Sequence, residues 1–175
     1  MHISELADAF HLRLGRLTQA AANLDFNVGL ALNWLGSYNG LPVDVFLDPK
    51  KTQLKQRLDE LKKLIGLTYD QTREDVQQDF EEWFRRVDAA RALRNDYVHA
   101  RWGFPGELKD EEPYVFYVSL NWKMDADKQT PTKKLTVSEL DTQVKEVSRL
   151  VGDLGKLTKK HAIHMSPRMN GRTNV

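Results

Sequence analysis

Apolar residues recur every three or four positions from Ile3 to Leu35, and no other feature restricts the fold as much. Leu6, Phe10, Leu14, Leu17, Ala21, Leu24, Val28, Ala31 and Leu35 fall on one line when the chain is wound at 3.6 residues per turn, so the spacing predicts one long amphipathic helix. Gly15 and Gly29 weaken that helix without ending it, and the run Gly36-Ser37-Tyr38-Asn39-Gly40 reads as its breaker. A second helix is expected from Asp48-Pro49, an N-cap followed by proline at the first helical position. It carries Leu54, Leu58, Leu61, Leu64 and Ile65 and is expected to stop at Gly66. A third is expected from about Thr68, with Val76, Phe80, Trp83, Phe84, Val87 and Ala90 on its buried stripe.

The pattern then changes. Gly103-Phe104-Pro105-Gly106 reads as a turn that ends the helical region. The β-branched and aromatic run Tyr114–Leu120 reads as a strand, and Lys133–Val137 as its partner. The polar stretch from Asp125 to Thr132 is the expected connection between them. Ser138-Glu139-Leu140-Asp141 resembles a capping box, with Asp in place of Glu or Gln, opening a last helix that bears Leu140, Val144, Val147, Val151, Leu154 and Leu157. The expected fold class is all-α: four main helices with a small β-hairpin, about residues 114–137, inserted before the last helix. Residues 1–165 are expected to form a single domain, followed by a disordered tail over 166–175.

Composition narrows the chemistry. The 175 residues contain no cysteine, which excludes disulfides, thiolate metal sites and a cysteine nucleophile. That fits a reducing cytoplasm, the expected location. The residues from Met1 to Phe10 alternate apolar and charged types and do not read as a secretory signal. No apolar run approaches the roughly 20 residues that span a bilayer, so no membrane association is expected. A net charge of +1 argues against bulk polyanion binding, but the charge is unevenly placed. Asp70 to Glu82 carries a net −5, and Arg85 to Arg101 a net +3. Acids at a helix start and bases at its end match the helix dipole. The arginines can equally form a phosphate-binding surface.

Within that basic stretch lies Arg94-Asn95-Asp96-Tyr97-Val98-His99. An arginine can hold a phosphate with two hydrogen bonds, and a histidine can move a proton near neutral pH. At 100° per residue Arg94 falls in line with Phe80, Trp83, Val87 and Ala90, while His99 lies about 140° away from Arg94. One straight helix cannot aim both at one small target. A bend or restart near Asn95-Asp96, or two copies of the motif facing each other across a dimer axis, would bring them together. Plainer roles compete: His99 as a packing histidine, Arg94 in an ion pair with Asp96, Asn95 as a cap, and Tyr97 and Val98 as core.

An Arg, a polar residue, three variable residues and a His, set in a helical chain of this length, resemble the HEPN superfamily, with Arg94, Asn95 and His99 matching the motif position by position. The resemblance implies a bundle of four to five helices and a symmetric homodimer. It also implies that the paired motifs form a metal-independent endoribonuclease site. Its members include toxins of toxin–antitoxin pairs and antiviral effectors, and others that only bind nucleotide, RNA or a protein. On this reading Arg94, Asn95 and His99 are catalytic, and Arg91, Arg101, Tyr97 and Trp102 contact the RNA substrate. The implied partners are a second copy, RNA, and an antitoxin or nucleotidyltransferase. No cofactor and no metal is expected. His161 and His164, three apart on the last helix, can share a metal, but no carboxylate nearby in sequence completes a set.

Overall fold

The computed structural model describes residues 2–48, 53–106, 112–119 and 132–166. The chain is mostly helical, with a small antiparallel sheet before the last long helix. In order, the elements are α1 (Ile3–Asn39), a short α2 (Asp44–Leu47), α3 (Leu54–Thr68), α4 (Glu74–His99), β1 (Arg101–Gly103), β2 (Tyr114–Val118), β3 (Lys133–Thr136), α5 (Val137–Lys160) and the 3₁₀ turn η1 (Ala162–His164). Among the described residues no helix is long and apolar enough to cross a membrane.

Helix α1 outlasts its expected end. Residues 36–39 are still helical, and only Gly40, at φ 66°, leaves the helix. There the Gly40 amide donates to the Ser37 carbonyl and the Leu41 amide to the Gly36 carbonyl, the two bonds of a Schellman cap. Gly36 has a different task. A Cβ placed on it would lie 2.5 Å from Val43 Cγ1, so the helix stays open there for the returning chain. Two other boundaries also move. Asp48 ends α2 rather than capping a helix, and α3 begins at Leu54, where the Gln56 side chain accepts from the Gln53 amide at 2.9 Å. Gly66 does not stop α3, which continues to Thr68.

The last helix is capped two residues earlier than expected. Thr136 Oγ1 accepts from the Glu139 amide at 3.1 Å, and the Glu139 carboxylate accepts from the Thr136 amide at 2.8 Å. The capping box is therefore Thr136-Val137-Ser138-Glu139, with the preferred Glu in place. The sheet has a third strand. β1 pairs antiparallel with β2, Trp102 opposite Tyr117, and β2 pairs with β3, Val115 opposite Leu135. The expected 125–132 connection lies outside the described residues except for Thr132, as does the tail beyond Ser166. Ser166 itself is tied down, its amide donating to the Thr68 carbonyl at 2.7 Å.

The chain divides into two compact units, Met1–Ala22 with Val87–Arg149, and Asn23–Arg86 with Leu150–Val175. The divisions fall inside α1, α4 and α5. In the first unit Leu6, Phe10 and Leu17 of α1, Val87 and Tyr97 of α4, Val115 and Tyr117 of β2, Leu135 of β3 and Leu140 and Val147 of α5 are buried. In the second, Leu24, Val28, Leu32 and Leu35 of α1, Leu58, Leu61 and Leu64 of α3, Val76, Phe80 and Trp83 of α4 and Leu150 and Leu154 of α5 are buried. Trp83 Nε1 donates to the Leu150 carbonyl at 2.9 Å, which satisfies the polar end of a large buried ring. Leu14, Ala21 and Ala31, expected on the buried line of α1, are only half-buried; Ala20 and Leu32 take the core instead.

Candidate functional site

The motif occupies the last two turns of α4, in the first unit. The helix continues without interruption to His99, so the restart considered near Asn95-Asp96 does not occur. The roughly 140° between Arg94 and His99 therefore stands. Asn95 and His99 are exposed and Arg94 is half-buried. Arg94 does not enter the core; its Nη1 donates to Asn95 Oδ1 at 3.1 Å. Among the described residues no carboxylate pairs with Arg94. Asp96, the acid nearest in sequence, turns instead to the sheet, where the Ser119 hydroxyl donates to it and Lys133 Nζ lies 3.7 Å away.

The four residues expected to contact substrate divide. Arg101 is exposed on β1, one position beyond the end of the motif helix and its following residue Ala100. Arg91 is drawn to Asp88 on its own helix, Nε to Oδ1 at 3.3 Å, so its charge is partly cancelled. Tyr97 cannot stack on a base. It is 2% exposed, and its ring lies edge-on to Trp102 at 5.4 Å and to Tyr117 at 5.2 Å between centroids. Burial first, with the neighbouring Tyr117 and Asp96 adding to it, pushes its hydroxyl well above the usual tyrosine range; a bond with Gln143 opposes that rise. Trp102 is half-buried, packs at 4.5 Å on Phe10 and 4.9 Å on Tyr117, and its Nε1 donates to the Tyr97 carbonyl at 3.0 Å. Both aromatics bind the sheet to α1 and α4 rather than face a ligand. Val98, read as core, is 39% exposed.

A second cluster, in the other unit, was invisible as a set in the sequence. His161 and His164 are not on the last helix, which ends at Lys160; they begin and end the turn at η1, where the His164 amide donates to the His161 carbonyl at 2.8 Å. Asp75, in the first turn of α4, joins them: one ligand atom from each of the three lies within 4.8 Å of the others. The set that seemed to lack a carboxylate thus has one. His161 is 1% exposed and its Nε2 lies 2.7 Å from Asp79 Oδ2, which Lys160 also reaches at 2.5 Å. Lys160 and Lys156, the latter on Asp153 at 3.3 Å, are thereby ion-paired within the unit.

No family model matches the chain, and no curated protein or solved structure matches it.

Proposed function

We propose that this chain is a metal-independent endoribonuclease of the HEPN type that acts as a symmetric homodimer. One observation carries the reading: Arg94, Asn95 and His99 stand at the surface at the end of α4, and no carboxylate among the described residues neutralises Arg94. A guanidinium that no carboxylate neutralises, on the same helix end as an exposed imidazole, suits an outside anion. Structural roles fit less well, because Asp96 is engaged by Ser119 and Lys133 and Asn95 caps no helix start.

The reaction follows from the groups. The 2′-hydroxyl of RNA attacks the adjacent phosphorus, the bond to the 5′-oxygen breaks, and a 2′,3′-cyclic phosphate forms. His99 takes the proton from the nucleophile or gives one to the leaving oxygen. Arg94 holds the phosphate and balances the charge that grows on it. Asn95 orients the Arg94 side chain through the bond it already makes. Arg101 adds a cation beside the path of the strand. Because Arg94 and His99 point apart on one helix, the arginine that serves a given histidine comes from the second copy. A toxin or antiviral effector held in check by an antitoxin or a nucleotidyltransferase, in the cytoplasm, is the setting this activity fits.

Purified dimer incubated with RNA in EDTA should cleave it, leave DNA intact, and lose cleavage by about 10²–10⁴-fold in His99→Ala. Arg94→Ala should lose as much. If wild type cuts no RNA, while either variant weakens RNA or nucleotide binding, the chain is a non-catalytic module of the same kind.

A further inference from the structure

We propose that Asp75, His161 and His164 form a binding site for one divalent transition-metal ion of the zinc class. The two histidines are brought together by local geometry. In a 3₁₀ turn side chains at i and i+3 eclipse, and His161 and His164 bracket such a turn. The turn is fixed by backbone bonds to the segment leading into α4. Asp70 donates its amide to the His164 carbonyl at 2.9 Å, Ser166 donates to the Thr68 carbonyl at 2.7 Å, and Tyr69 bridges to Met165. That anchoring carries the histidines to the first turn of α4, where Asp75 stands.

The buried histidine is already arranged as a metal ligand. Asp79 engages Nε2 of His161 at 2.7 Å, so that nitrogen carries the hydrogen and Nδ1 keeps its lone pair. Nδ1 is buried and has no hydrogen-bond partner. Buried polar atoms are rarely left so, and an ion is one of the few partners that resolves it. A carboxylate on one ring nitrogen and a metal on the other is the usual support of a metal-bound histidine. Two imidazoles and a carboxylate suit zinc or a neighbouring transition ion, with the remaining position open to water. Bonds of about 2.0–2.2 Å would draw the ligand atoms to about 3.3 Å from one another. The closure needed from 4.8 Å falls on Asp75, which is exposed, and His164, which is half-buried. Arg73 holds both Asp75 oxygens at 3.0 Å, in a pair 44% and 46% exposed, so the ion has to displace the guanidinium from one of them. The site lies in the unit that does not contain Arg94 and His99, and the ribonuclease reading does not depend on it.

The full chain, stripped with a chelator and then titrated with Zn²⁺, should bind one ion per chain and melt at a higher temperature. Co²⁺ in its place should give the visible absorption of a low-coordinate ion. His164→Ala and Asp75→Ala should each weaken Zn²⁺ binding by about tenfold or more while the metal-free protein melts unchanged. Asp79→Asn should weaken it within the same range. No rise in melting temperature with Zn²⁺ would overturn the assignment. So would equal affinity in wild type and His164→Ala, which would place the ion on surface histidines such as His2 or His11.

Discussion

Tyr97 and His99 are two positions apart on α4 and live in opposite surroundings, one 2% exposed among aromatic rings and the other at the surface. Substitutions at the two should therefore separate folding from activity. His99→Ala should leave the melting temperature within about two degrees, as expected of a surface change, while abolishing cleavage. Tyr97→Ala should cost about 3–5 kcal/mol of stability by opening a cavity against Trp102 and Tyr117. Thermal melts of the two proteins beside one cleavage assay check both halves. A His99→Ala protein that melts as early as Tyr97→Ala would make the histidine a packing residue. At this scale the sequence was half legible. Arg94, Asn95 and His99 stand out as candidates because their types are rare together. The fate of Tyr97 could not be read, since a helical tyrosine next to charged neighbours looks much the same whether it faces core or ligand. Asp75 could not be joined to His161 either, because only the folded chain brings α4's first turn to η1.

Helices are where the reading of the chain succeeded best, since a buried stripe at 3.6-residue spacing is written into the residues themselves. Most of the misses lie at boundaries. The run from Gly36 was read as a breaker, yet Gly36 is helical and its missing side chain makes room for Val43, and only Gly40 has a left-handed backbone. These two glycines give a sharp comparison. Gly36→Ala forces a Cβ into Val43 and should cost about 1–3 kcal/mol, whereas Gly40→Ala meets no atom and should cost only the backbone penalty of about 1–2 kcal/mol. Val43→Ala added to Gly36→Ala should recover part of the loss, and should recover nothing in Gly40→Ala; chemical denaturation of the four variants tests this. β1 escaped notice because three residues are too few to show an alternation.

The α4–α5 pairing in the second unit carries a pH signature. Burial pushes the Asp153 carboxyl up, but bonds from Arg86 and Lys156 outweigh it and hold the group below its ordinary value. A carboxyl lowered in the folded state stabilises above the unfolded value, about 3.8, and ceases to do so as pH falls through the folded one. Asp153→Asn should therefore melt earlier than wild type at pH 7, and the gap should close as the pH is taken below about 4. A gap of constant width from pH 7 to pH 3 would mean that Asp153 acts through packing alone.

For the molecule as a whole, the proposed dimer can be tested by mixing. If each working site takes Arg94 from one copy and His99 from the other, neither single variant cleaves, but a dimer of one Arg94→Ala chain and one His99→Ala chain keeps one intact pair. Equal mixing makes half the dimers mixed, each with one of two sites, so about a quarter of wild-type activity should return. Cleavage that stays at zero after subunit exchange, measured alongside sedimentation that verifies the mixed dimer, would exclude a site shared in this way. The bundle class was readable from the whole chain, because periodic helices and one aromatic strand run leave few other solutions. The division into two units was not, because it falls within three continuous helices where the sequence pattern does not change.

The clustered rings of Phe10, Trp102, Tyr97 and Tyr117 have an optical consequence. Four aromatic chromophores held at 4.5–5.4 Å in fixed, tilted orientations form a chiral array. Such an array shows near-ultraviolet circular dichroism only while its packing is rigid. The second unit contributes through Trp83 and Tyr69, so the share of that dichroism removed in Trp102→Phe reports on the unit that carries the motif, and its loss on heating would mark loosened packing there even while the helices still absorb as helices.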